Sequence, residues 1–298
     1  MKFLEAAVNK KRGRIHKLDS YYESYDFHFK NFNRNKKYNI LEIGVAEGGG
    51  LWALKKYFLN SSITGLDIAD KCKEYESIKD GIKVYIGDQS NIDLLEKIHK
   101  DRGPFDIIID DGGHTMEQQL IGFITLFPLM KDMGLYVVED LHTSYWQEFG
   151  GESEAPKDTL KNATSNMMTF LKYISDKSTS RWASRSCRAY GSDDLYDITS
   201  RPYDYETGSF LYLWKGELLE MDLDVWDYEV DSVHFHDSIC FVYKKVVSAK
   251  EMQDKIANYR NFTSYDGVST NYEPPSGSLI IKRPKKLLKL GEQKYVLQ

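Results

Sequence analysis

Between residues 39 and 140, short apolar runs alternate with segments whose apolar residues recur at helical spacing. Runs such as Ile107-Ile108-Ile109 and Leu135-Tyr136-Val137-Val138, bounded by Gly and Asp, predict strands buried on both faces. Five such strands are expected, at 39–45, 62–68, 83–88, 105–111 and 134–140. Helices fit between them. Leu51, Leu54 and Phe58 repeat at helical spacing after the first strand. Ser90 or Asn91 can cap a helix carrying Leu94, Leu95 and Ile98, and Leu120, Phe123, Ile124 and Phe127 form an apolar face that stops at Pro128. This alternation predicts an α/β chain with a mainly parallel sheet covered on both sides.

Residues 232–237 and 239–245 meet at the Asp237-Ser238 step and predict an antiparallel hairpin closing one sheet edge. The chain thus divides into a leader, 1–38, a main domain, 39–245, and a C-terminal extension, 246–298. Residues 150–230, too long for one crossover helix, are expected to form an insertion beside the site. The leader, rich in Tyr, Phe and His, is expected to be helical and to pack over the sheet's mouth, with His16, Tyr22, Tyr25 and His28 as roof or packing residues. The extension carries a basic run, Lys282-Arg283-Pro284-Lys285-Lys286, of the kind that is usually solvated.

Composition narrows the function classes. The 298 residues carry a formal charge of −5, which gives no global pull toward nucleic acid or an anionic membrane. Cys72, Cys187 and Cys240 lie far apart, without metal-ligand spacing, which suits a reducing compartment. The start, Met1-Lys2-Phe3-Leu4-Glu5, lacks a signal-peptide core, and no apolar run is long enough to span a bilayer, so a cytoplasmic location is expected. The 21 tyrosines and 5 tryptophans suit stacking on flat or sugar-like ligands, or reflect a compositional bias.

The chemistry concentrates where two strands end in paired carboxylates, Asp110-Asp111 and Glu139-Asp140. If those strands are neighbours, their ends lie about 4.8 Å apart. Four carboxylates that close resist ionisation unless a cation sits between them, and a divalent metal is the simplest candidate. Other readings stand beside this one. Asp111 and Asp140 could cap helices, and His114 could make a structural hydrogen bond. Glu139 on a buried strand needs a paired charge or a metal.

A second cluster follows the first strand. Gly44-Val45-Ala46-Glu47-Gly48-Gly49-Gly50 is a glycine-rich strand-to-helix loop. Glu42 and Glu47 would repel a pyrophosphate and hold a cationic amine or sulfonium. Asp67 ends the second strand, placed for two ribose hydroxyls, and Asp88-Gln89 follows the third, where an amide can read an adenine edge. In that order these residues favour S-adenosylmethionine over a dinucleotide, which would also want glycine at Ala46.

These motifs resemble the class I S-adenosylmethionine-dependent methyltransferases, and more closely the metal-dependent sugar O-methyltransferases of macrolide and polysaccharide gene clusters. The resemblance rests on Asp110-Asp111-Gly112-Gly113-His114, on the run from Glu139 to Trp146, on Gly87-Asp88-Gln89 and on the run from Ser232 to Ser238. It covers roughly residues 15–245. Gly113 stands where the family often has Ser, and His142 where an aromatic is also found. The resemblance implies a Rossmann-like, mainly parallel seven-stranded sheet with a C-terminal antiparallel hairpin. It implies Asp111, Glu139 and Asp140 as metal ligands and His114 as general base. It further implies Asp110 and Gln89 on the adenosine side, Asp67 on the ribose, and Glu42 and Gly44 at the methionine end. His142, Tyr145 and Trp146 become candidate acceptor contacts. His234 and His236 read as structural. Relatives of this kind form homo-oligomers, so one is expected.

The implied reaction is methyl transfer to a sugar hydroxyl, on a nucleotide-sugar, a surface glycan or a glycosylated natural product. An all-carboxylate ligand set favours Mg²⁺ or Mn²⁺ over zinc. The spacing of Asp111 and His114 would put them one turn apart if a helix began there. Alternatives are a non-sugar acceptor, including a phosphorus-linked oxygen, a nicotinamide-dependent oxidoreductase, a nucleic-acid methyltransferase and a non-catalytic binding module. The nucleic-acid reading lacks an Asn/Asp-Pro-Pro-aromatic turn after the fourth strand, since Glu273-Pro274-Pro275-Ser276 lies beyond the fold.

Overall fold

A computed structural model of the chain describes residues 2–7, 13–151, 166–172, 174–175, 178, 203–204, 209–214, 217–222 and 230–245. Cys187, most of the insertion and the C-terminal extension with its basic run fall outside them.

The five predicted strands form as β1 (Asn39–Ile43), β2 (Ser62–Asp67), β3 (Ile82–Ile86), β4 (Ile107–Asp110) and β5 (Leu135–Val138). A short antiparallel sheet joins β6 (Tyr203–Asp204), β7 (Ser209–Trp214) and β8 (Glu217–Asp222). The C-terminal hairpin is β9 (Val230–Phe235) and β10 (Cys240–Lys244), which turns at Ser238 in a left-handed conformation. The main sheet has seven strands in the order β3-β2-β1-β4-β5-β10-β9. Its first five strands run parallel, and β10 pairs antiparallel with both β5 and β9.

The alternation of side chains explains why these runs are apolar throughout. Leu41, Ile43, Ile108, Tyr136, Val138 and Val242 enter one core, while Ile40, Ile107, Ile109, Leu135, Val137 and Phe241 enter the other. Each such side chain, fully buried, contributes about 1.5–3 kcal/mol.

Helices α1 (Phe3–Ala7), α2 (Asp19–Phe29) and α3 (Gly49–Tyr57) lie on one side of the sheet, and α4 (Ile92–Arg102) and α5 (Met116–Leu126) on the other. Asn91 caps α4 by accepting from the Leu94 amide at 3.1 Å, as one of the two expected caps. The α5 apolar face ends at Phe127-Pro128, and buried Lys244 donates to the carbonyls of Phe127, Pro128 and Met130 there. Between β2 and β3 the expected helix is replaced by 3₁₀ turns at Asp70–Tyr75 and Ile78–Asp80. That stretch, rich in Lys, Asp and Glu, has too few apolar residues for a helical stripe. From the insertion, Met167, Phe170, Leu171 and Ile174 are buried in the same core as α5.

The leader is helical and packs at the mouth. Phe3 meets Tyr25 at 4.9 Å and Phe29 at 5.3 Å between ring centres. His28 stacks on Phe241 at 3.9 Å, and its ring nitrogens lie 2.9 Å from the Tyr243 hydroxyl and 2.9 Å from His236 Nε2. His234, 5.1 Å from the His28 ring, completes a cluster that pins α2 to the hairpin. The same helix thereby aims Tyr21 and Tyr25 at the carboxylates that follow β5. No helix among the described residues is long and apolar enough to cross a membrane.

Candidate active site

The strand order reverses between β1 and β4, and in open α/β sheets ligands bind beyond the strand ends at such a crevice. Here Gly44 follows β1 and Asp111 follows β4. Gly44 has φ +92°, and a Cβ there would lie 1.8 Å from the Asp111 carbonyl oxygen, so only glycine fits. Ile43 pairs with Asp110 and Asp110 with Val138, which sets the two carboxylate pairs side by side at one mouth.

Asp111, His114 and Asp140 bring potential ligand atoms within 4.8 Å of one another. His114 Nε2 lies 3.2 Å from Asp140 Oδ2, and His114 Nδ1 is buried with no hydrogen-bond partner among the described residues. The histidine does not reach Asp111 by a helical turn, because α5 starts only at Met116, capped by Thr115. The Gly112-Gly113 turn brings the two together instead. Ala46, His114, Asp140 and Ser238, all non-glycine, hold positive φ angles around this mouth. Such conformations cost roughly 1–3 kcal/mol each and cluster at functional sites.

Asp140 is oriented from the leader. The Tyr21 hydroxyl lies 2.7 Å from Asp140 Oδ1 and 3.1 Å from the Ser238 carbonyl oxygen, and accepts from the Asp140 amide at 3.1 Å. Glu139 points to a different set of partners. Tyr25 donates to its Oε1 at 2.5 Å, and Lys17 forms an ion pair with the same oxygen and, at 2.8 Å, with Asp111 Oδ2. Glu139 Oε2 has no hydrogen-bond partner among the described residues although it is buried. Burial works against the Lys17 ammonium, but the charges of Asp111, Glu139 and Glu42 outweigh it and hold its pKa well above the ordinary value. Burial drives Glu139 upward, helped by Asp111 and opposed by Lys17 and Tyr25.

Lys17 was not among the residues expected from sequence. The only signal for it was the electrostatic demand for a cation among the carboxylates.

The glycine-loop residues are placed as follows. Glu42 is buried on β1 with Oε2 unpartnered among the described residues, and burial lifts its pKa to about 8. Glu47 is half-exposed beside Arg14 and His16. Asp67 Oδ2 accepts from the Val45 and Ala46 amides at 2.8 and 2.9 Å, and Oδ1 from Ala69 at 2.8 Å. These bonds hold its carboxyl below the ordinary range against the opposing effect of burial. Ile68 beside it is 66% exposed. Asp88 accepts from the Ser90 amide, and Gln118 Nε2 lies 3.3 Å from it. Gln89 donates to Asp110 at 3.0 Å and accepts from the Gly113 amide, so this buried pair secures the turn that carries His114. Burial pushes Asp110 up to about 7.

Of the acceptor candidates, His142 Nδ1 lies 2.6 Å from the Ser238 hydroxyl, and the Trp146 ring stands edge-on to His142 at 4.7 Å. Tyr145 and Trp146 are both exposed.

The fold is that of the class I Rossmann-like methyltransferases. The chain superposes on the MycE methyltransferase of the mycinamycin biosynthetic pathway, solved in complex with Mg, SAH and mycinamycin VI, with TM-score 0.58 and 26% identity. That match covers 82% of this chain and 53% of MycE. Within the class, the chain is similar to enzymes of glycosylated natural-product pathways. It is 41% identical over 143 residues to demethylmacrocin O-methyltransferase of Streptomyces fradiae, covering 46% of this chain and 35% of that protein. It is 40% identical over 141 residues to 8-demethyl-8-alpha-L-rhamnosyl tetracenomycin-C 2'-O-methyltransferase of Streptomyces olivaceus, covering 45% and 36%. The matched stretch thus spans only about a third of these curated relatives' length. No protein-family model matches the chain.

Proposed function

We propose that this chain catalyses S-adenosylmethionine-dependent, divalent-metal-dependent O-methylation of a sugar hydroxyl, on a nucleotide-sugar, a surface glycan or a glycosylated natural product. The observation that carries the reading is the convergence of Asp111, His114 and Asp140 at the strand-order reversal. The names of the relatives, which include a rhamnosyl 2'-O-methyltransferase, support the acceptor class.

The donor set fits a hard divalent ion, Mg²⁺ or Mn²⁺. Asp111 and Asp140 supply oxygens, and the unpartnered Glu139 Oε2 is a third in reserve. When bound, such an ion supplies orientation of neighbouring hydroxyls and stabilisation of a developing alkoxide. His114 takes the hydroxyl proton at a ring nitrogen, a contribution of about 10²–10⁴ in rate. Tyr21 fixes Asp140, and the Gln89–Asp110 pair fixes the turn under His114.

At the cofactor end, Glu42 offers its free oxygen to the amine of the methionine moiety. Asp67 shapes the loop through its amides, and exposed Ile68 offers an apolar surface for a flat ring. Gly44, Glu47, Asp88, Gln89 and Asp110 complete this side. His142, Tyr145 and Trp146 border the acceptor. An oligomeric, cytoplasmic enzyme without a nucleic-acid partner is part of the same reading.

Titration calorimetry with S-adenosylhomocysteine and with NADH tests the cofactor assignment. Binding of the first alone is expected, and preferential binding of NADH would replace the reading with an oxidoreductase.

A further inference from the structure

Lys17 lies in the non-helical stretch between α1 and α2, yet its side chain is 1% exposed. A buried lysine in a connecting segment needs a strong local reason, because removing an ammonium from water is costly unless it is paired. The reason here is an ion pair with Asp111 Oδ2 and Glu139 Oε1, and the face of the Tyr25 ring lies 5.6 Å from Nζ. The backbone before it is fixed as well. A Cβ on Gly13 would lie 1.9 Å from the Glu47 carbonyl oxygen, so the segment runs in close contact over the glycine loop before Lys17 turns into the carboxylates.

The two oxygens that Lys17 holds belong to residues that the proposed function gives to a divalent ion. Asp111, Glu139 and Asp140 carry three negative charges when ionised, and one ammonium leaves two uncompensated. That residual charge attracts a divalent cation, while the ammonium repels it and occupies Asp111 Oδ2 and Glu139 Oε1. The unpartnered Glu139 Oε2, buried and next to the ammonium-bound oxygen, fits a carboxylate with a second partner to gain.

We propose that Lys17 is a resident counter-cation of this site. It holds the carboxylates together in the metal-free chain, and a divalent ion displaces it from Asp111 and Glu139. The inference rests on the metal-dependent reading of the site. It makes Lys17 a positioning residue that sets metal affinity and the direction in which Glu139 points.

The test is Mn²⁺ binding, read from the electron paramagnetic resonance signal of the free ion, in the native chain and in Lys17→Met and Lys17→Arg. Lys17→Met is expected to tighten Mn²⁺ binding by at least about tenfold, since an opposing charge is removed at close range. Lys17→Arg keeps the charge and is expected to stay within about threefold of native on the same electrostatic argument. In the native chain, Mn²⁺ is also expected to speed tryptic cleavage after Lys17, a measurement that remains if the variants do not fold. Native Mn²⁺ binding with no tightening in Lys17→Met, or cleavage after Lys17 unchanged by Mn²⁺, overturns the exchange and leaves the metal site standing. Mn²⁺ binding to neither protein removes the metal site and this inference with it.

Discussion

His114 and Asp140 face each other across the mouth of the sheet, Nε2 to Oδ2 at 3.2 Å, and both hold left-handed backbone conformations. One comes from the turn after β4 and the other from the turn after β5. Each conformation is costly for a non-glycine residue, and the surrounding bonds from Gln89, Thr143 and Tyr21 enforce it. The pair joins the proposed base to the proposed metal ligand.

His114→Ala separates chemistry from binding. The cofactor residues lie on β1, β2, β4 and the loops after β1 and β3, none of them His114 itself, so S-adenosylhomocysteine affinity in calorimetry is expected to stay near native. Single-turnover methyl transfer is expected to fall about 10²–10⁴-fold. Normal turnover in this variant would remove His114 from the role of base.

Asp140→Asn is expected to abolish the response of activity to added Mg²⁺. Tyr21→Phe removes only the hydroxyl that orients Asp140, and partners of this kind are typically worth about 10–100-fold in metal affinity. Titration of Mn²⁺ into both variants should therefore rank native above Tyr21→Phe, and Tyr21→Phe above Asp140→Asn. Equal affinity in native and Tyr21→Phe would reduce the tyrosine to packing.

The His28 cluster predicts acid sensitivity. Burial, with His234 and His236 nearby, lowers His28 from an ordinary value of 6.5 to about 3. The unfolded chain therefore binds more protons than the folded one between those values. Stability is complete above pH 6.5 and falls as the pH drops toward 3, by at most about 1.4 kcal/mol per pH unit for this group. Denaturant melts of His28→Gln across that window should show a shallower slope than native, and parallel slopes would exclude the cluster as the source.

Glu42 predicts the opposite sign. Burial raises it from 4.5 to about 8, so the folded chain binds more protons than the unfolded one in that interval, and its contribution falls as pH rises through the window. Glu42→Gln should gain stability relative to native toward pH 8, by on the order of 1 kcal/mol per pH unit. It should at the same time weaken S-adenosylhomocysteine binding. A variant that is both more stable and unimpaired in binding would show that the carboxylate is not held there for the cofactor.

The strands, the helical faces of α3, α4 and α5, and the closing hairpin were legible because β1, β2, β4, β5 and β10 are buried on both faces and each helix carries a clear stripe. The convergence of Asp111, His114 and Asp140 was legible only through the order of the motifs, since nothing local tells Ile107–Asp110 to pair with Leu135–Val138. The geometry within the site was less accessible. The one-turn relation of Asp111 to His114 depended on a helix that Thr115 starts later. Asp67 and Gln89 read as ligand contacts, whereas their bonds also run to the loop amides and to Asp110, partners set by tertiary structure. Lys17 was hidden because Gly13-Arg14-Ile15-His16-Lys17-Leu18 has no period and lies far in sequence from its carboxylates.

Mass spectrometry of a panel of sugar acceptors with S-adenosylmethionine, run in parallel with Mg²⁺ and with EDTA, tests the central claim most directly. The account predicts a mass gain of one methylene on a sugar hydroxyl that requires Mg²⁺ and vanishes in EDTA. The same gain persisting in EDTA would contradict the metal role given to Asp111, Glu139 and Asp140.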